Sequence, residues 1–309
     1  MSFDLRQIRA LMLVARHGGF SKAAREARIT QPTLSTHIRN LEDEIGVRLL
    51  DRAGKAVTLT PAGVVFADYA RRILDLCDQS LEAVQTYLGE VKGRVSIAAS
   101  TVPGEYLLPR WLAGFAREYP QVELTLTVGD SQMVMERVAS GDAAIGVSGT
   151  ESSHSALTSK LLVKDEIILV RADSDPGDGE SIPSRLSLND LADLPLIRRE
   201  AGSGTQLTVE RYLKRAGLSP DGIKWSATLG STRAVVEGVL AGMGAGFLSR
   251  LTVEKELSEG RLARLEIEGM DIRRGFFLVT PTFRSLSPVA QIVVGDLLDY
   301  GGSKAAQRS

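Results

Sequence analysis

The chain has 309 residues and a formal charge of −1, long enough for two or three domains and too balanced to wrap a polyanion along its whole length. Its single cysteine, Cys77, excludes an internal disulfide framework and a multi-cysteine zinc site. The start, Met1 to Asp4, carries no basic stretch and leads into no apolar run, and no segment nears the ~18 apolar residues that span a bilayer, so a cytoplasmic protein with no membrane partner is expected.

Charge is uneven along the chain. Residues 1–60 carry ten basic and six acidic side chains, a net +4 that leaves −5 on the remainder. A basic head on an acidic body points to a head that meets polyanions.

In "FDLRQIRALMLVARHGG", Leu5, Ile8, Leu11, Met12 and Ala15 recur at helical spacing. Asp4 and Gln7 fit a capping box, Phe3 can staple onto Ile8, and Gly18 supplies a stop. Ser21 is expected to cap a short second helix, "KAAREA", whose Ala23, Ala24 and Ala27 let another helix approach closely. Thr30 caps a third helix, with Ile29 and Leu34 as its staple and Pro32 in the first turn, where backbone N–H groups lack helical partners. Leu34, Ile38, Leu41 and Ile45 form one stripe. Pro32, Ser35, Thr36 and Arg39 point away from it, and Gln31 sits at the tip. That polar face carries hydroxyls, an amide and an arginine, not the Glu/Lys mixture of an ordinary solvated helix.

Two β-prone pieces, 49–50 and 57–59, flank Ala53 and Gly54 and read as a hairpin with Arg52 and Lys55 at its tip. Thr60 and Pro61 then open a long fourth helix, to about residue 88. Ala67, Leu74, Leu81 and Leu88 hold one heptad position. Ala70, Cys77, Val84 and Val91 hold the other, which predicts a coiled-coil partner rather than packing on the chain's own core.

After Gly93 the pattern alternates strands with helices. Strands are predicted at 95–99, 122–128, 143–147, 161–163, 167–170, 196–198, 225–229, 245–248, 262–267 and 276–280. Helices are predicted around 107–119, 133–140, 205–216, 232–241 and 288–300. Such alternation predicts an α/β domain with largely parallel sheets. The loop 173–184 reads as a surface excursion, and 301–309 as a flexible tail.

Two short helices, a tight turn, a capped third helix and a hairpin make a winged helix-turn-helix. The third helix enters the DNA major groove by its N-terminal end in such units. Here that end offers Gln31, Thr33, Ser35 and Thr36 for base edges, and Pro32 for a thymine methyl. No carboxylate occurs on this helix before Glu42. Ser21, Lys22 and Arg39 complete the expected DNA-facing set, with Arg52 and Lys55 of the wing on phosphates or the minor groove.

The stretch "FSKAAREARITQPTLSTHIRNLEDEIGVRLLDRAGKAVTLTPAG" resembles the N-terminal domain of LysR-type transcriptional regulators. Their pattern, two alanines, then "TQPxLSxxIxxLExxxGxxLFxR", then "LTxAG", is met by Ala23, Ala24, Thr30, Gln31, Pro32, Leu34, Ser35, Ile38, Leu41, Glu42, Gly46, Leu49, Arg52, Leu59, Thr60, Ala62 and Gly63. Leu50 replaces the usual Phe. Thr36 and His37 stand where Arg and Gln are common, so the target sequence is expected to differ. The resemblance covers nearly the whole chain. It implies a winged domain at 1–60 and a dimerising linker helix at 61–91. It also implies a periplasmic-binding-protein-like effector domain at 92–300, with subdomain I at 92–164 and 269–300 and subdomain II at 165–268. Assembly as a dimer of dimers and contact with RNA polymerase are further implications.

In open α/β sheets, ligands bind beyond the carboxyl ends of strands, near helix N-termini. Three such places carry hydroxyls: Ser100 and Thr101, Ser148, and Ser203, Gly204 and Thr205. They suit an effector that is a small anion or a polar metabolite, with Phe247 as a candidate wall; each hydroxyl also suits a plain helix cap. His17, His37 and His154 lie far apart and suggest solvent or capping roles, and Cys77 a small hydrophobe packed in the seam. "GMGAG" lacks the dinucleotide fingerprint and "GVSGT" is no nucleophile elbow, so neither a cofactor nor an enzyme is expected. The rival readings are a solute-binding protein with an N-terminal extension and an α/β enzyme with a helical dimerisation arm.

Overall fold

The computed structural model describes residues 3–52, 56–173 and 185–306. The chain divides into two compact units, residues 1–88 and 89–309.

The first unit holds α1 (Leu5–His17), α2 (Phe20–Glu26) and α3 (Gln31–Ile45), a two-stranded ribbon of β1 (Leu50–Asp51) and β2 (Thr58–Leu59), and α4 (Pro61–Tyr87). Local signals set the helix ends. Asp4 accepts from Arg6 and Gln7 N–H groups while the Gln7 side chain accepts from Asp4 N–H, which closes the capping box. Gly18 ends α1 at φ 63°, a left-handed conformation glycine adopts without penalty. Thr30 caps α3, and Thr60 Oγ1 accepts from Gly63 N–H at the start of α4. Ser21 is not the cap of α2. Extended Gly19 holds that position, because Phe20 joins the helix and packs on the core. The three helices bury Leu11, Val14, Ala23, Leu34, Ile38 and Leu41 completely.

The α4 helix is about 40 Å long at 1.5 Å per residue. Ala67 and Ala70 are buried within the unit, so the first turns of the predicted seam are spent on the chain's own core. Farther along, Leu76, Leu81 and Val84 are all at least 60% exposed. Val91 lies past the helix end and packs against a core of the second unit.

The second unit runs β3 (Gly93–Ser100), α5 (Leu108–Glu118), β4 (Val122–Gly129), α6 (Ser131–Ser140), β5 (Ile145–Ser148), β6 (Leu157–Ala172), β7 (Arg185–Leu186), β8 (Leu196–Arg199), α7 (Gly204–Arg215), β9 (Trp225–Leu229), α8 (Thr232–Leu240), β10 (Ala245–Ser249), α9 (Arg250–Ser258), β11 (Leu262–Ile267), β12 (Ile272–Pro281) and α10 (Pro288–Ala306). Its main sheet follows the order β4-β3-β5-β12-β6-β10-β8-β9. The strands at each end pair in parallel, but β6 and β12 are antiparallel to each other and to their other sheet neighbours. The expected largely parallel arrangement therefore holds only in the two halves, not where they join. The predicted strands 161–163 and 167–170 are one 16-residue strand, β6, whose polar middle is paired throughout with β12.

Each half is a lobe with helices on both sheet faces. In the first, α5 and α10 cover one face and α6 the other. In the second, α7 covers one face while α8 and α9 cover the other. α10 continues to Ala306, into the segment expected as a flexible tail. Gly301 lets that helix lie on β6: a Cβ there would fall 2.5 Å from the Leu162 carbonyl oxygen. The loop at 174–184 lies outside the described residues, as does Lys55.

Candidate functional sites: a helix face and a cleft

In the first unit, α2 and α3 meet at a tight turn through Arg28, a non-glycine residue at φ 54° whose side chain stays in solvent. Ala23 and Ala24, almost without exposed surface, allow this close packing. The apolar stripe of α3 faces inward, so Gln31, Pro32, Thr33, Thr36 and Arg39 are exposed and Ser35 is half-buried. Ser21 and Lys22 are exposed on α2. The Ser21 hydroxyl donates to Gln31 Oε1 at 3.0 Å, which fixes the amide and leaves its NH2 free to donate outward. Thr36 donates to the Pro32 carbonyl at 3.0 Å, so its hydroxyl faces outward chiefly as an acceptor, and the Thr33 hydroxyl pairs with that of Thr30 at 2.8 Å. The face thus presents both donors and acceptors with no carboxylate.

The first acid of the helix, Glu42, turns inward. Its Oε1 accepts from the N–H groups of Leu49 and Leu50 at 2.8 and 3.1 Å, and its Oε2 lies 3.5 Å from Arg52. The Arg52 guanidinium also stacks 4.9 Å from the centre of the Phe20 ring. Arg52, expected on DNA phosphates or the minor groove, keeps 45% of its side chain exposed while its contact with Glu42 links the start of the ribbon to α3.

In the second unit, a cavity of about 410 Å³ opens between the lobes. The carboxyl ends of β3, β4, β8 and β9 and the N-termini of α6, α7 and α8 converge on it. Ser100, Thr101, Ser203, Gly204 and Thr205 all line it, as expected. Ser100 Oγ accepts from Gly149 N–H at 3.1 Å, Thr101 donates to the Gly129 carbonyl at 3.2 Å, and Ser203 caps α7. Two expected residues do not line it. Ser148 is fully buried with its oxygen accepting from Thr150 N–H, because the chain turns there and presents Gly149 instead. Phe247 sits on the buried strand β10 and packs in the core of the second lobe.

Two arginines that the sequence reading missed also line the cavity. Arg199 makes a two-pronged contact with Glu200, both bonds 2.7 Å, and its hydrogen bonds hold the Glu200 carboxyl below the usual glutamate range. Arg274 donates from Nε to Asp165 at 2.9 Å and from Nη1 to Thr205 at 3.0 Å. Burial lowers the Arg274 pKa; Asp165 opposes this, and the Arg199 charge adds to it. One signal for Arg274 was available: it shares the inward side of β12 with Ile272, Phe276 and Leu278 at the period of two.

Two families match in tandem. Residues 5–64 match the bacterial regulatory helix-turn-helix proteins of the lysR family, and residues 88–301 match the LysR substrate binding domain. The chain belongs to the LysR family of transcriptional regulators. As a LysR-type regulator it is a DNA-binding protein whose action answers to a small-molecule effector. It is 32% identical over 286 residues to the RuBisCO operon transcriptional regulator of Acidithiobacillus ferrooxidans, covering 92% of this chain and 90% of that one. Its fold is shared with a full-length OxyR from Pseudomonas aeruginosa, with a TM-score of 0.73 at 19% identity over 97% of this chain and 95% of the other. The regulatory domain of CcmR from Synechocystis PCC6803, solved in complex with 2-PG, matches 68% of this chain and 98% of its own length, with a TM-score of 0.60 at 24% identity.

The remaining singled-out residues have local roles. His17 pairs with Glu26, and His154 Nδ1 accepts from Ala156 N–H, as a cap would. No helix among the described residues is long and apolar enough to cross a membrane.

Proposed function

We propose that the exposed face of α3 reads base edges in the major groove through Gln31, Pro32, Thr33, Ser35 and Thr36. Ser21, Lys22 and Arg39 meet the flanking phosphates. The observation that carries this reading is the acid-free face itself, capped at Thr30 and supported by an inward-turned Glu42. The positive end of the helix dipole lies at the same N-terminus and favours an anionic backbone.

In this reading, residues 1–60 bind DNA, the helix from 61 onward pairs two chains, and residues 92–300 hold the effector. The exposed Leu81 and Val84 supply the pairing surface, and two dimers assemble on one promoter in the cytoplasm. The effector, a small anion or polar metabolite, enters the cleft and leaves unchanged. It binds one arrangement of the assembly more tightly than another and shifts the population between them, altering how RNA polymerase is met. The 2-PG held by the CcmR regulatory domain supports a cleft of this chemistry.

The test is to incubate the purified full-length chain with sheared fragments of its own genome at moderate salt and sequence what it retains. A small set of strongly enriched promoter fragments is expected. Uniform retention of all fragments overturns the reading.

A further inference from the structure

Arg274 is buried where the two lobes join. It sits on β12 directly opposite Asp165 on β6, and these are the two strands that join the lobes. Its side chain is 6% exposed, and that of Asp165 is fully buried. Asp165 is itself held, since the Ser249 hydroxyl donates to its other oxygen at 2.7 Å. The guanidinium lies 4.8 Å from the centre of the Phe276 ring, and Nη1 donates to Thr205 in the first turn of α7. Yet Nη2 is buried with no hydrogen-bond partner.

A guanidinium is a rigid fork of five donors, and a buried donor left unmet is costly. Pairing with Asp165 alone would account for a strand-to-strand staple, but not for the rest of the setting. Arg274 lines the cavity, and so do Thr205 and Gly149. A Cβ at Gly149 would come into ordinary contact with Nη1, at 3.8 Å, so the absence of a side chain there keeps the cavity open beside the guanidinium. The N-terminus of α7 adds positive dipole beside it.

We propose that Arg274 is the anchor for an oxyanion group of the effector, a carboxylate or a phosphate, which takes the Nη2 donor together with the N-terminus of α7. This rests on the effector-cleft reading above. Arg274 is fixed to the strands joining the lobes and to the second lobe through Thr205, and Gly149 of the first lobe lies across from it. An anion seated there touches both lobes and their connection at once. Asp165 and Ser249 act as positioning residues: they hold the fork and do not meet the ligand.

Calorimetric titration of the full-length chain tests this with three probes, inorganic phosphate, malonate and uncharged glycerol. At least one anion is expected to bind with a dissociation constant in the low millimolar range or tighter, and glycerol to show no binding. Phosphate alone would define the group as a phosphate ester, malonate alone as a carboxylic acid. Arg274→Lys keeps the charge opposite Asp165 but loses the fork, and is expected to weaken the anion about tenfold or more. Thr205→Val keeps the Asp165 pair intact and is expected to weaken it less. It serves as the second variant should Arg274→Lys fold poorly. Binding of neither anion by the wild-type chain overturns the proposal, as does undiminished binding by the Arg274→Lys or Thr205→Val chain. Either result leaves the genomic-fragment experiment, and the regulator reading it tests, standing.

Discussion

Replacing Glu42 by alanine tests how the exposed face of α3 is supported. Glu42 is 11% exposed at its side chain and accepts two backbone N–H groups, those of the buried Leu49 and Leu50. Each hydrogen bond to a charged acceptor contributes about 1.5–3 kcal/mol, and truncation leaves both donors unmet. The ion pair to Arg52 adds about 1 kcal/mol or less, because that arginine is 45% exposed. Glu42→Ala is therefore expected to cost roughly 3–5 kcal/mol. Glu42→Gln keeps an oxygen acceptor and loses only charge, at roughly 1 kcal/mol. For a unit of this size, each kcal/mol moves the melting point by about 4–8 °C, so Glu42→Ala lowers it by at least 12 °C or so. The assay separates the units, since both tryptophans, Trp111 and Trp225, lie in the second. Far-ultraviolet circular dichroism is expected to show an early transition that tryptophan fluorescence does not follow. An unchanged dichroism curve for Glu42→Ala refutes the reasoning. A Glu42→Gln chain as unstable as Glu42→Ala shifts the weight to the Arg52 pair.

Three further outcomes are expected. Gln31→Ala weakens binding to an enriched fragment by about 1–3 kcal/mol with little change on random DNA, and equal loss on both rejects base reading by this amide. Leu81→Lys on the exposed stretch of α4 reduces the assembled mass in sedimentation, and an unchanged mass excludes that position from the seam. The Glu200 carboxyl has a lowered pKa through Arg199, so its stabilising contribution is present above the ordinary glutamate range. It is lost as pH falls through the depressed value; Glu200→Gln should remove that part of the acid dependence of stability, and identical acid curves would refute it.

What the sequence disclosed was chiefly what is local. Asp4 with Gln7, Thr30 and Pro61 act within one helical turn, so their effect is written in neighbouring letters. The Ser21 error was local too: Gly19 and Phe20 compete for the same turn, and burial of Phe20 decides it. The hidden features come from distant pairing. "KDE" at 164–166 looks like a break between strands because an isolated aspartate should not be buried. It is buried because Arg274, 109 residues later, lies opposite it. The cleft hydroxyls were legible from strand ends and helix starts. The two arginines that charge the cleft were not, since their meaning rests on Asp165, Thr205 and Glu200 as placed by the fold.

The crossing of β6 and β12 also bears on how the chain is made. The second lobe is nearly continuous in sequence, but the first needs β12 beside β5 and α10 over its core, both from the far end of the chain. At elongation speeds of about 5–20 residues per second, roughly 7–30 s separate the synthesis of β5 from that of Leu297. During that interval β5 lacks its β12 partner on the inner edge, and one face lacks the part of its cover that α10 supplies. The lobe that begins first is completed last, so the nascent chain passes through a stage in which the younger lobe can fold while the older one awaits its final strand and helix.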